Sequence, residues 1–232
     1  MSKIIDPGFF SKQVSADNKR GEFNTKNTII VEDNVDVDFV FMGDSITDNC
    51  EINAYLGRSN KMILNRGISG DSTEYVLKRF DADVIQLKPK HCILLIGVND
   101  AWDLEYEPWS QTEGMSVEAA VKRAYENIKE MSDKAKSSNI NLIMCSILPT
   151  NMTFTNRNKE RNIYVEEVNS KLRRLCEEEN LIYVDYYSEF VEEGDIRVKD
   201  GLTFEGLHPN TEGYNLMMKI LKETLSSNDI EF

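Results

Sequence analysis

A repeated alternation of short apolar runs with longer stretches of helical period constrains this fold more than any other feature of the sequence. The alternation begins near residue 38 and continues through most of the chain. It is typical of a parallel β-sheet covered by helices, because parallel strands need long crossover connections that are usually helical. Five apolar runs are the candidate strands: Asp38–Gly43, Lys61–Asn65, His91–Gly97, Ile140–Ile147 and Leu181–Asp185.

The segments between these runs predict covering helices. Ser116–Ser137 and Asn158–Glu179 carry apolar residues three and four positions apart, with charges on the opposite face, and a further helix is expected after Pro209. Residues 1–37 lack a clear period, but their phenylalanines indicate a segment that packs on the domain. We therefore expect a single three-layer α/β/α domain over residues 38–232, with a five-stranded, mainly parallel sheet and a packed N-terminal segment.

Charge and cysteine content limit the classes of partner. The 27 basic and 40 acidic residues give a formal net charge of -13, which opposes binding to nucleic acid and to anionic membrane surfaces. The longest apolar run, Cys92–Val98, is too short to cross a bilayer, so we expect no membrane insertion. Scattered cysteines without a close pair, together with a start that lacks an apolar signal sequence, favour a cytoplasmic protein. The oligomeric state is left open.

Small polar residues follow the first three predicted strands. The segments are Gly43–Thr47, Arg66–Asp71 and Gly97–Asp100. In open parallel sheets, ligands bind at the carboxyl ends of the strands, where such loops converge. A hydroxyl at a strand-to-helix turn can be exposed and lie near backbone N–H groups that stabilise negative charge. Ser45 has this position and is the candidate nucleophile.

A serine nucleophile needs a base, and that base is usually histidine. The chain has two histidines. His91 opens an apolar strand at the amino edge of the predicted sheet, so we expect it to serve packing. His208 precedes the last predicted helix, where a loop can bring it back over the sheet. His208 is therefore the candidate base.

At this point the residues resemble a known family, the SGNH or GDSL-like hydrolases. Four segments resemble its sequence blocks in order, over about residues 39–210: Phe41–Ser45, Asn65–Asp71, Gly97–Asp100 and Glu205–Pro209. The resemblance implies the flavodoxin-like α/β/α fold of these hydrolases and a serine esterase activity. No cofactor and no metal are expected, and the two distant histidines without a cysteine cluster also disfavour a zinc site.

The resemblance implies a role for each matched residue. Ser45 would attack an ester carbonyl while His208 takes its proton and later returns one to the leaving alcohol. The implied oxyanion hole consists of the backbone N–H groups of Ser45 and Gly70 and the side-chain amide of Asn99. Donors aimed at a developing oxyanion are usually the largest single catalytic contribution.

The acid that orients the histidine departs from the family pattern. Family members commonly have aspartate three residues before the histidine, whereas this chain has Glu205 there. A glutamate can orient imidazole, although its extra methylene changes the reach. Asp200, eight residues before His208, is the alternative, and Glu205 is favoured.

Candidate substrate contacts are Asp44, Trp102 and Trp109. The two tryptophans can stack on sugar rings or hold an acyl chain, or they can pin their loop to the core. The polar segment Thr150–Asn156 favours a small, hydroxyl-rich substrate, so we expect deacetylation of a carbohydrate-like ester. The alternatives are lysophospholipase or thioesterase activity, because similar proteins have both, and a non-catalytic ligand-binding module on the same fold.

Overall fold

A computed structural model describes residues 4–56, 59–106, 111 and 113–232. It contains a five-stranded parallel sheet with the order β2-β1-β3-β4-β5, so the predicted α/β fold class is confirmed. The strands are β1 Phe39–Gly43, β2 Ile63–Gly67, β3 His91–Leu95, β4 Asn141–Cys145 and β5 Ile182–Val184.

Helices connect and flank these strands. The α-helices of the described residues are α1 Val14–Glu32, α2 Ser45–Asp48, α3 Ile52–Leu56, α4 Thr73–Asp83, α5 Val117–Ser137, α6 Asn158–Glu179, α7 Tyr186–Phe190 and α8 Thr211–Ser226. Two 3₁₀ helices span Ile85–Leu87 and Val98–Leu104. Within the described part of the chain, no helix combines the length and apolar character needed to cross a bilayer.

The described residues form two compact units. The first takes its residues from 1–96, 127–143 and 232, and the second from 97–126 and 144–231. Strands β1, β2, β3 and the start of β4 belong to the first unit, while the end of β4 and all of β5 belong to the second. The described part of segment 1–37 lies in the first unit, and the predicted division after residue 37 stays a prediction.

Strand β1 shows why apolar runs predicted the sheet. All five of its residues are buried, as expected for a parallel strand that is covered on both faces. The ladder pairs Gly43 with Gly67 of β2 and with Leu95 of β3. Strand β2 therefore continues two residues beyond the predicted end at Asn65. Strand β3 instead stops two residues before Gly97, whose φ of 129° is incompatible with an extended strand.

Helix α1 was not predicted, and its buried face explains why. The buried positions recur every three or four residues, as in any docked helix, but two of them are polar: Ala16, Arg20, Phe23, Asn27 and Ile30. Arg20 is paired with carboxylates, and Asn27 donates hydrogen bonds to a backbone carbonyl and to a carboxylate. Buried polar groups with such partners are tolerated in a core. A search for apolar period cannot detect this face.

Candidate active site

Ser45 begins the short helix α2 directly after β1, and it is buried, with 6% of its surface exposed. The carboxylate of Asp44 caps this helix by accepting a hydrogen bond from the backbone N–H of Ile46 at 2.9 Å. Aspartate is a favourable residue at this cap position. The cap fixes the backbone on both sides of Ser45. The predicted substrate contact of Asp44 stays a prediction.

The carbonyl group that precedes this turn is tied down by two donors. The Gly43 oxygen accepts hydrogen bonds from the backbone N–H of Ile68 at 3.1 Å and from Nη2 of Arg79 at 3.0 Å. Arg79 is fully buried. Two separate segments therefore hold the end of β1 in place next to the candidate nucleophile.

The Gly70 loop, residues 68–71, follows β2. Gly70 has a φ of 84°, in the left-handed region that favours glycine. The loop is closed by a hydrogen bond from the N–H of Asp71 to the carbonyl of Ile68 at 3.1 Å. The Asp71 carboxylate is paired with Nε of Arg79 at 2.7 Å. Burial raises the pKa of Asp71, and Arg79 opposes that shift.

Asn99 lies in the 3₁₀ helix that follows β3 and is half-buried. The turn into this helix uses Gly97, where an added Cβ would lie 2.5 Å from Cδ1 of Ile147. The hydroxyl of Tyr164 donates a hydrogen bond to the Gly97 carbonyl at 2.9 Å. Because burial raises the pKa of Tyr164 well above its ordinary value, this hydroxyl remains a neutral donor.

His208 and Glu205 are hydrogen-bonded to each other. Nδ1–H of His208 donates to Oε1 of Glu205, and the same oxygen accepts the backbone N–H of His208 at 3.4 Å. In a neutral imidazole that donates from Nδ1, the ring lone pair is on Nε2. Asp200, the alternative acid, is exposed and makes no ion pair or hydrogen bond with the described residues. The carboxylate beside His208 is thus Glu205, and its catalytic role stays a prediction.

Main-chain contacts hold the loop that carries this pair. Thr203 and Pro209 form an antiparallel bridge across its base. The carbonyl of Gly206 accepts a hydrogen bond from the backbone N–H of Asn151 at 2.7 Å. The loop is therefore fixed both within itself and to the segment that follows β4.

Trp102 is held by neighbouring side chains and is also partly exposed, and its predicted substrate contact stays a prediction. Its side chain is 40% exposed, yet the guanidinium of Arg161 lies 3.9 Å from its ring centroid. Phe154, which is 60% exposed, lies nearly parallel to the Trp102 ring at a centroid distance of 6.2 Å. Cation–π and aromatic contacts hold Trp102 in place, while its exposed part can still meet a ligand. Trp109 lies outside the described residues.

Several polar groups of the loop after β4 form hydrogen bonds with other residues of the protein. The backbone N–H of Thr150 donates to the Asn162 side chain at 2.8 Å. The hydroxyl of Thr155 donates to Glu105 at 2.5 Å. These groups shape the loop and give little support to the predicted polar wall for a substrate.

His91 has the surroundings of a packing residue. Its ring stacks on Phe39 at 4.9 Å between centroids, and Nδ1 lies 3.0 Å from the side-chain amide of Asn141. Burial lowers the pKa of His91. Within the described ranges, no cluster of three or more His, Cys, Asp or Glu side chains could hold a metal ion, and the expected lack of a metal stays a prediction.

The sequence pattern does not indicate the roles of two residues near the candidate site residues, Arg79 and Tyr164. Their hydrogen-bond partners lie 36 and 67 positions away along the chain. No local motif marks a side chain whose contact is so distant in sequence. A buried arginine on an amphipathic helix is visible only once the packing is known.

Comparisons with known proteins identify the family. The model of the GDSL-like lipase/acylhydrolase family matches residues 41–216. An acetylxylan esterase of Geobacillus stearothermophilus is 21% identical over 159 residues, which cover 68% of each chain. The uncharacterised lipoprotein YqeF of Bacillus subtilis is 34% identical over 92 residues, 40% of this chain, and the match spans only 35% of that lipoprotein.

A solved structure supports the same assignment. A Bacteroides fragilis protein described as an acylhydrolase superposes with a TM-score of 0.76 and 25% identity, over 94% of this chain and 99% of that one. The fold and the family match therefore agree with the resemblance found in the sequence blocks. The chain belongs to the GDSL-like lipase/acylhydrolase family, within the SGNH hydrolases.

Proposed function

We propose that this protein is a serine carboxylic ester hydrolase that removes a small acyl group, such as acetyl, from a carbohydrate-like ester. The observation that carries the serine mechanism is the hydrogen bond between His208 and Glu205. It provides a histidine whose Nε2 can accept a proton and whose charged form is stabilised by a carboxylate. Family membership supports hydrolysis as the reaction class.

In the proposed mechanism, Oγ of Ser45 attacks the ester carbonyl while Nε2 of His208 accepts its proton. The oxyanion accepts hydrogen bonds from the backbone N–H groups of Ser45 and Gly70 and from the Asn99 amide. Each such donor is worth about 3 kcal/mol. His208 then protonates the leaving alcohol, with Glu205 stabilising the imidazolium. A water molecule then attacks the acyl-enzyme while Nε2 of His208 accepts its proton. His208 returns this proton to Oγ of Ser45 as the carboxylic acid leaves, which restores Ser45.

The proposed substrate class rests on two supports. The Geobacillus stearothermophilus relative is an acetylxylan esterase. Trp102 and Phe154 offer exposed, nearly parallel aromatic surfaces, of the kind that stack on sugar rings. Asp44 and Trp109 remain proposed substrate contacts.

The cellular context also remains a proposal. All four cysteines are buried and none of them forms a disulfide, which suits a reducing, cytoplasmic environment. The relative YqeF is a lipoprotein, so an extracytoplasmic location is the alternative. The proposed partner is a small ester molecule, without nucleic acid or membrane insertion.

Steady-state hydrolysis of matched substrates tests this function. The substrates are p-nitrophenyl esters from acetyl to octanoyl, an acetylated xyloside, a lysophospholipid and an acyl thioester. The variants are Ser45→Ala and, as the matched control, Ser226→Ala at an exposed position in α8. We expect Ser45→Ala to lower kcat by at least about 10³-fold, with the control within about twofold of wild type.

The outcomes separate the reaction from the substrate. Equal activity of wild type and Ser45→Ala, or equal inactivity on every substrate, would rule out the serine mechanism. Higher kcat/KM on octanoyl esters or the lysophospholipid than on acetyl esters would replace the proposed substrate with a lipid. A higher kcat/KM on the thioester than on the acetyl esters would show that the substrate is a thioester.

A further inference from the structure

Helix α1 packs against the Gly70 loop. Ala16 and Phe23 of α1 form a buried apolar cluster with Ile68. Nη1 of Arg20 lies 3.5 Å from Oδ1 of Asp71, and both side chains are 1% exposed. These contacts join α1 to both ends of the Gly70 loop.

The same helix is also tied to the helix that starts at Ser45. Nζ of Lys19 lies 2.9 Å from Oδ1 of Asp48, the last residue of α2. The other Asp48 oxygen accepts the hydroxyl of Ser69 at 2.8 Å. Helix α1, α2 and the Gly70 loop are therefore connected through Asp48, and the position of α1 beside the candidate nucleophile turn is fixed.

Gln13, at the start of α1, lies over Gly70. A Cβ built on Gly70 would lie 2.9 Å from Oε1 and 3.1 Å from Nε2 of Gln13. The Cβ position and the backbone nitrogen of one residue are about 2.5 Å apart, so Oε1 of Gln13 lies within about 5.4 Å of the Gly70 nitrogen. A substrate carbonyl oxygen that is bound by that N–H would lie within about 8 Å of Oε1 of Gln13, a distance that the alcohol part of a hydroxyl-rich ester can span.

The Gln13 amide is also available to a ligand. The residue is exposed, and its side chain makes no hydrogen bond with any part of the chain that the structure describes. A carboxamide has two N–H donors and one carbonyl acceptor and carries no net charge. These properties match hydroxyl groups, which both donate and accept.

We propose that Gln13 is a specificity-determining residue whose amide hydrogen-bonds a hydroxyl group of the substrate beside the ester. The proposal rests on the proposed esterase function, in which Gly70 binds the oxyanion. It gives the N-terminal helix a direct part in substrate selection. Esters of hydroxyl-rich alcohols gain this hydrogen bond, whereas esters of simple phenols do not.

Two variants of the full-length protein test the proposal on two acetyl esters, p-nitrophenyl acetate and an acetylated xyloside with free hydroxyls. Gln13→Ala should lower kcat/KM for the xyloside by about 5- to 10-fold, as expected for one neutral hydrogen bond. The value for p-nitrophenyl acetate should stay within about twofold of wild type, because that ester offers no hydroxyl.

Gln13→Glu tests the position independently of hydroxyl recognition. A carboxylate no more than about 8 Å from the developing oxyanion should lower kcat on both esters by at least about 2- to 30-fold, depending on the local dielectric. Ser15→Glu is the matched control, because it adds the same charge at an exposed position of the same helix. The control should change kcat less than Gln13→Glu does.

The results distinguish this inference from the proposed function. Equal effects of Gln13→Ala on the two esters, or no effect on either, would overturn the specificity role. A kcat for Gln13→Glu no lower than that for Ser15→Glu would overturn its position beside the oxyanion. A wild type no more active than Ser45→Ala would overturn the proposed function and this inference together, whereas an active wild type that is insensitive to Gln13 overturns this inference alone.

Discussion

Arg79→Met should destabilise the fold by about 3–5 kcal/mol, because it removes the cation that contacts two buried carboxylates, of which Asp71 keeps only the longer contact with Arg20 at 3.5 Å. Arg79 is fully buried, with Nε 2.7 Å from Asp71 and Nη1 2.8 Å from Asp83. Its Nη2 also donates to the Gly43 carbonyl. Methionine can fill much of the space of the arginine stem but supplies none of these donors. The loss therefore comes from electrostatics and hydrogen bonding more than from a cavity.

This energy converts into a large shift in melting temperature. For chains of about 150–250 residues, each kcal/mol changes Tm by about 2–4 °C. With 232 residues, the chain should melt about 6–20 °C lower when Arg79 is methionine. The double variant Arg79→Met/Asp71→Asn should regain part of the lost melting temperature. Its second substitution removes the charge of one of the two carboxylates that contacted Arg79.

The decrease in Tm caused by Arg79→Met should also depend on pH, and the direction of this dependence follows from the pKa of Asp71. Burial already raises the pKa of Asp71, and Arg79 opposes that shift, so its removal raises the pKa of this carboxyl further. When the pKa of a carboxyl is higher in the folded state than in the unfolded state, the folded state takes up the proton first. The free energy of unfolding therefore increases as pH falls through the folded pKa. The difference in Tm between wild type and variant should therefore be larger at about pH 7.5 than at about pH 5.

Calorimetric or circular-dichroism melts at several pH values measure both effects. Arg174→Met is the control, since Arg174 is exposed on α6 and forms no ion pair among the described residues. The reasoning about the buried cation is refuted by an Arg79→Met melt within about 2 °C of wild type. A difference that widens toward acidic pH would refute the sign of the argument.

Two further predictions concern the second unit. Glu205→Gln should lower kcat for ester hydrolysis by about 10²–10⁴-fold, while Asp200→Asn stays within about twofold; loss in Asp200→Asn alone would move the acid role to that residue. Tyr164→Phe removes the buried hydrogen bond to the Gly97 carbonyl and should cost about 1 kcal/mol in denaturant unfolding. An unchanged unfolding midpoint would show that the Tyr164 hydroxyl contributes nothing to stability.

The sheet was predictable from the sequence because its strands depend on local patterns. A strand buried on both faces must be apolar throughout, so β1 stands out in the sequence. Gly70 is a glycine because its backbone adopts a positive φ. The contact between Glu205 and His208 was implied by the resemblance to the SGNH hydrolases, which commonly have an acid three residues before the histidine.

What escaped prediction depends on contacts between distant parts of the chain. Gln13 lies against a residue 57 positions later, and nothing near it in sequence indicates this. Arg79 looks like the charged residue of a solvated helix face until its partners are known. The acid position also shows a limit of pattern matching, since the sequence left Asp200 open and only the structure shows that the carboxylate in contact with His208 is Glu205.

The polar stripe of α1 makes its docking specific to one register. Sliding the helix by one turn would separate Arg20 from Asp71 and Asn27 from Asp83, and each buried group left unsatisfied costs about 1–3 kcal/mol. An apolar stripe would tolerate such a slip far better. A chimera that moves this helix into a relative must therefore also carry the carboxylates of Asp71 and Asp83, even though they lie more than fifty residues further along the chain.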